Sequence, residues 1–169
     1  NFHGQPLAIP LDQAAIAVCA WGNISERRTA TLVNPAMSGL PAFLTPKPGL
    51  NSGLMMGQVT AAALASENKG LGNPASTDTV PTDNDQEDHV SMAPIAARKL
   101  HRALDNLEGI LAIEIHTAAQ AREFHRDLRA GKGAEAVYRL VRRHLPPLGN
   151  DRYMAPEIDR LRELVGLGA

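Results

Sequence analysis

Apolar residues recur at three- and four-residue steps along most of the chain, and no run alternates with period two for long enough to make a strand. Helix is therefore predicted throughout. Between Pro6 and Val33 the positions Leu7, Leu11, Ala14, Ala15, Val18, Trp21 and Ile24 share one face of a first helix, whose opening turn tolerates Pro6 and Pro10. Met37 to Leu50 holds Pro41, Pro46, Pro48, Gly39 and Gly49. It predicts an ordered loop, because Leu40, Phe43 and Leu44 require burial. Asn51-Ser52 then caps a second helix that runs to about Lys69. Its small residues, among them Gly53, Gly57, Ala61, Ala65 and Ser66, let neighbouring helices approach on all sides, as in a large bundle.

A polar loop over residues 70–85 leads to a third helix from about His89 to Phe124, with Ile95, Lys99/Leu100, Leu104, Leu107, Leu111 and Ile115 on its core stripe. Pro94 ends its first turn or kinks it. Gly131 and Gly133 form a hinge before two short amphipathic helices, Ala134 to His144 and Pro156 to Val165. The expected fold is all-α, a long-helix bundle, with residues 1–125 forming its central part and 126–169 a C-terminal region of short helices. A helix of about 35 residues is roughly 50 Å long, more than the diameter of a compact chain of this size. Partners outside the chain are expected.

Charge narrows the classes. With 17 Lys and Arg against 18 Asp and Glu, no general attraction to nucleic acid or membrane is expected. Cys19 is the only cysteine, so there is no disulfide framework, and a buried structural thiol in a reducing cytoplasm fits. Apolar runs such as Leu107 to Ile115 are interrupted and too short to span a bilayer, and no basic-then-apolar leader opens the chain. The chain starts at Asn1 without a methionine and is read as a piece of something longer.

The densest chemistry lies in Asp85-Gln86-Glu87-Asp88-His89-Val90-Ser91-Met92. Metal binding is disfavoured, since adjacent helical residues diverge and neither an HxxxH pair nor a cysteine cluster accompanies them. Two readings remain. Asp85 or Asp88 caps the third helix while the acids favour its positive end, or Glu87, with Gln86, is a functional carboxylate at a loop-to-helix junction. His3, His101, His116, His125 and His144 are scattered, with His116 read as a hydrogen-bonded core or interface histidine. Ser38 and Ser52 sit in no nucleophile elbow. Arg27 and Arg28, after Ser25-Glu26, form a solvated or interface charge cluster, and Arg139, Arg142, Arg143 and His144 an exposed basic face.

The motifs NFHGQP (Asn1 to Pro6), SERR (Ser25 to Arg28), GLPAFL (Gly39 to Leu44), GLNSG (Gly49 to Gly53), AALASENK (Ala62 to Lys69) and QEDHVSM followed by AARK are similar in order and spacing to the histidine ammonia-lyase branch of the aromatic amino acid lyases. The resemblance implies an ammonia-lyase/fumarase-like helical homotetramer, cytoplasmic, with active sites assembled from several subunits. Such enzymes eliminate ammonia from L-histidine to give trans-urocanate, using a methylidene-imidazolone made from an internal Ala-Ser-Gly and an upstream tyrosine as base. It further implies that Phe2 lines the substrate pocket, that Glu87 contacts the imidazole side of the substrate, and that Gln86 is a polar neighbour near the prosthetic group.

Two departures matter. The family usually has Asn where Asp85 stands, so a donor is exchanged for a group that only accepts when ionised. The chain also contains no Ala-Ser-Gly, so catalysis is expected only together with an N-terminal portion that carries the prosthetic group. Alternatives are a phenylalanine or tyrosine ammonia-lyase, an aminomutase, or a non-catalytic helical assembly module.

Overall fold

The computed structural model describes residues 3–166. Its helices are α1 (Gln5–Val33), α2 (Pro35–Ser38), α3 (Met55–Leu71), α4 (Ala93–Arg122), α5 (Lys132–His144) and α6 (Ala155–Gly166), with 3₁₀ turns at Ala42–Leu44 and Glu123–His125. Among the described residues there is no strand, in keeping with an all-α fold. The chain divides into two compact units, residues 3–23 with Ala65–Leu107 and Ile24–Leu64 with 108–166. Each of the three long helices contributes residues to both.

Helix starts differ from those the pattern predicts, for local reasons. The Gly4 carbonyl accepts from the amides of Leu7 and Ala8, so α1 begins at Gln5 and places Pro10 inside the helix rather than in its first turn. The α3 helix begins at Met55, because the Asn51 side chain accepts from the Asp151 amide at 3.3 Å instead of capping the helix. The Asp151 carboxylate in turn accepts from the amides of Ser52 and Gly53, at 2.7 and 2.8 Å. A third shift moves α4 to Ala93, with Pro94 harmless in its first turn and no acidic residue there. DQED is thus no helix start.

In the first unit the buried face of α1 is Ala8, Asp12 and Ala15. Of the stripe expected to be core, Ala15 is buried and Leu11 and Val18 are half-buried, but Leu7 is 64% and Trp21 53% exposed. Small side chains let backbones approach closely, and the large ones then stand on the opposite face. A similar offset appears in α4, where Ala96 and Ala103 are buried while Ile95 and Leu104 are exposed, although Leu107 is buried as expected. Polar groups complete this core. Asn68 donates to the Ala103 carbonyl at 3.2 Å and accepts from Asn106 at 2.9 Å, while the Cys19 thiol donates to the Asn68 carbonyl at 2.9 Å. Burial holds that thiol above its ordinary pKa, which suits a structural role.

The second unit packs two apolar clusters, one around Leu40, Leu44, Leu54 and Leu148, the other around Ala112, Val141, Leu145 and Leu161. Leu40 and Leu44 are buried as expected of the ordered loop. In the SERR segment Arg27 and Arg28 are exposed, as expected of a solvated charge cluster, while Ser25 and Glu26 are buried. Ser25 donates to Glu114 at 2.5 Å, Arg28 pairs with the same carboxylate, and Gln58 donates to Glu26 at 3.0 Å. Gln120, 1% exposed, donates to the carbonyls of Leu44 and Leu148 and accepts from the Leu148 amide, tying loop to helix. His116 is buried, yet its Nε2 has no hydrogen bond, against the expectation of a bonded core histidine. The α3 helix buries only the face of Gly57 and Ala61 here, leaving Met56 and Val59 exposed.

One expectation about membranes needs correction. The 29 residues of α1 are long and apolar enough, by length and composition, to cross a bilayer. That helix also buries Asp12, Ser25, Glu26 and Thr29 on the face that packs, the character of a bundle helix.

Candidate active site

Glu87 lies in a hairpin six residues before α4, within the first unit. Thr82 and Glu87 exchange both main-chain hydrogen bonds, at 3.1 and 3.2 Å, and the Gln86 amide donates to the Asp83 carbonyl at 3.0 Å. The tip residues Asp83, Asn84 and Asp85 all take left-handed backbone conformations, with φ of 52°, 51° and 66°. That conformation costs an ordinary residue about 1–2 kcal/mol, less for Asn and Asp, whose short polar side chains bond locally. Three such residues in succession bend the chain sharply. The consequence is that Gln86 and Glu87 are held by their backbone, while their side chains are exposed and unbonded among the described residues.

Two further segments fix this hairpin. On one side His3 Nε2 bonds the His89 carbonyl, and the two imidazoles stack with centroids 4.9 Å apart and planes 6° from parallel. A carbonyl oxygen only accepts, so Nε2 carries the proton. Gly4 follows at φ 85°, and a Cβ there would stand 3.0 Å from Ser91 Oγ. His3 and Gly4 therefore run beside the segment His89 to Ser91. Phe2, the expected pocket aromatic, lies outside the described residues.

On the other side the loop is anchored at Ser76. Its amide donates to Asp12 Oδ2 at 2.7 Å, and its carbonyl accepts from Gln5 Nε2 at 3.1 Å. Burial raises the pKa of Asp12, but the Ser76 amide and hydroxyl, the Ala75 amide and the Lys99 charge outweigh it, leaving the carboxyl below its usual value. Lys99 also bonds the Asn73 carbonyl, and the Thr79 hydroxyl accepts from the Val90 amide at 2.8 Å.

Chemically, the hairpin offers an ionisable acceptor beside a neutral amide that both donates and accepts. Among the described residues no group of three or more His, Cys, Asp or Glu is placed to hold a metal ion. A cleft of about 570 Å³ in the second unit, lined by Gly57, Leu64, Ile113, Met154 and Ile158, includes none of the hairpin residues. Sequence reasoning placed Glu87 and Gln86 but set His3 among scattered histidines. The signal was available, since both motifs contain a histidine, but nothing in the spacing shows that two residues 86 positions apart come together. Asp12 and Ser76 carried no signal at all.

A sequence profile described as aromatic amino acid lyase matches residues 1–143. Histidine ammonia-lyase of Deinococcus radiodurans is 56% identical over 98% of this chain and 32% of its own length, and that of Rhodospirillum rubrum 51% identical over 99% and 33%. The crystal structure of histidine ammonia-lyase from Trypanosoma cruzi superposes with a TM-score of 0.96 at 48% identity, covering 99% of this chain and 33% of that one. Tyrosine aminomutase from Streptomyces globisporus superposes at 0.95 with 42% identity, covering 99% and 32%. The chain spans about a third of the length of these relatives.

Proposed function

This chain belongs to the aromatic amino acid lyase family, and on that premise we propose that it forms part of an enzyme that eliminates ammonia from L-histidine to give trans-urocanate. The observation that carries the reading is its 51–56% identity, over nearly the whole chain, with enzymes named histidine ammonia-lyase. The exposed hairpin supports it. A carboxylate held by its backbone, with no partner among the described residues, is available to a ligand.

Glu87 accepts a hydrogen bond from the imidazole N–H of the substrate, which orients the ring and favours its protonated form. Phe2 packs on the ring face. A methylidene-imidazolone, formed from an Ala-Ser-Gly that this chain does not contain, supplies the electrophile that makes the amine a leaving group. The Gln86 amide fits beside such a group, being neutral and able both to donate and to accept. Asp85 offers only acceptance when ionised, so it holds the turn rather than donating. The β-proton goes to a base outside this chain, in the N-terminal portion. That portion and further copies in a homotetramer supply the remaining walls, because the hairpin and the bulky face of α1 are exposed here. A reducing cytoplasm suits the free Cys19.

The likeness to tyrosine aminomutase favours a second reading, in which the substrate is tyrosine and its amino group migrates. A carboxylate at position 87 suits an imidazole better than a phenyl ring, which has no donor; a phenol can donate its O–H, but only imidazole can also take a proton and pair with the carboxylate as a cation. The test is absorbance of urocanate formed from L-histidine by a polypeptide of the relatives' length carrying this sequence, beside the same assay for products of L-tyrosine. Urocanate formation with tyrosine left unchanged is expected. Conversion of tyrosine in preference to histidine overturns the reading.

A further inference from the structure

The residue that joins the two motifs is His3, which the proposed reaction leaves without a role. Its Nε2–H donates to the main-chain carbonyl of His89, two residues beyond Glu87, and its ring lies flat on the His89 ring with centroids 4.9 Å apart. Main-chain contacts made by the hairpin itself, between Thr82 and Glu87, close only its near side. On the far side the Val90 amide is held by Thr79, and the His89 carbonyl by His3. Without His3 that carbonyl loses its protein donor, and the segment bearing Gln86 and Glu87 keeps only the Val90–Thr79 bond on its far side. The Gly4 backbone pressed against Ser91 shows how closely the two segments run.

We propose that His3 is a positioning residue: its bond to the His89 carbonyl and its stack on the His89 ring fix the Gln86–Glu87 backbone in the orientation that presents the Glu87 carboxylate to substrate. The inference rests on the proposed reaction for its kinetic part only. Both histidines are exposed, so neither ring is needed to fill the core. Substitution there empties no core position, which separates positioning from folding. Chemistry explains why the position suits histidine. It combines a flat ring for stacking with a donor at the ring's far end, whereas Gln supplies only the donor and Phe only the ring.

The experiment uses a polypeptide of the relatives' length carrying this sequence, with His3→Ala, His3→Gln and His3→Phe made in the native background and in a Glu87→Gln background. Amide hydrogen exchange of the 85–91 peptide is followed by mass spectrometry, and kcat/KM by ammonia release from L-histidine. With His3→Ala, exchange at Glu87 and Val90 is expected to speed up about tenfold or more. A fall in kcat/KM of about tenfold should accompany it, since small misplacements of a positioned group are costly. His3→Gln and His3→Phe should each recover part of both losses. In the Glu87→Gln background His3→Ala should cost no further activity, because the group it positions is already gone.

Unchanged exchange overturns the proposal whatever the activity. Faster exchange with kcat/KM intact overturns it as well, and so does an equal further loss in the Glu87→Gln background, which marks a general structural effect. If the unsubstituted protein releases no ammonia from L-histidine, the reaction assignment fails, and exchange alone decides whether His3 holds the hairpin.

Discussion

Glu123 and Glu87 are carboxylates treated in opposite ways by the same chain. Glu123 accepts from the Tyr138 hydroxyl at 2.8 Å and from Arg142 Nε at 2.7 Å, pairs with Arg126, and is nearly buried. Burial raises its pKa, but these three donors and the Arg142 charge outweigh it, leaving the carboxyl below its ordinary value. Glu87 is fixed through its own N–H and C=O, and its side chain meets nothing among the described residues. Every oxygen of the first is committed to structure. The second is hydrogen-bonded through its main chain and has a carboxylate with no partner among the described residues, a condition in which a side chain can serve a ligand.

The largest stability effect should come from breaking the engaged carboxylate. Glu123→Ala leaves Arg142, whose side chain is 12% exposed, without its ion-pair partner. A loss of about 4 kcal/mol is expected in denaturant unfolding, with turnover per folded molecule preserved. Loss of turnover without loss of stability would erase the distinction drawn between the two sites.

His116 sharpens the same contrast through pH. Burial pushes its pKa down to about 4, the Glu157 charge opposing this and the Arg142 and Arg152 charges adding to it. The imidazole is therefore neutral at pH 7, and its 3.6 Å separation from Glu157 is no ion pair. Between pH 6.5 and 4 the unfolded chain binds a proton that the folded one refuses, so stability is complete above 6.5 and falls as pH drops. About 3 kcal/mol should be lost across that window, and His116→Leu should flatten the slope. Urea titrations at several pH values check both.

A smaller effect belongs to the hairpin tip. At φ 66°, Asp85 occupies a conformation that Asn tolerates at least as well and in which its charge has no partner among the described residues. Asp85→Asn should raise stability by less than about 1 kcal/mol, visible as a small upward shift in Tm. A clear decrease would mean that the carboxylate, rather than the turn, is what the position requires.

The helices were legible because their apolar spacing is regular, and the motif order pointed to the family before any contact was known. Which face of a helix is buried was legible only in part. Ala15 packs as predicted, but Leu7 and Trp21 read as core by size while Ala8 and Asp12 pack instead, because close helix approach selects small residues and a sequence pattern ranks bulk above fit. The acid cluster was misplaced for a related reason. Composition marks DQED as a helix start equally well, and only the left-handed run at Asp83 to Asp85 makes it a hairpin. Long-range ties such as Asp12 to Ser76 and Asp151 to Gly53 leave no local pattern, since each partner alone is an ordinary polar residue.

The central claim is that Glu87 is held rigid for the substrate and not for the fold. Its most direct test is Glu87→Gln in a polypeptide of the relatives' length, with turnover of L-histidine and Tm recorded on the same sample. Turnover should fall by about 100-fold or more while stability changes by less than about 0.5 kcal/mol. Undiminished turnover at unchanged stability would contradict the account.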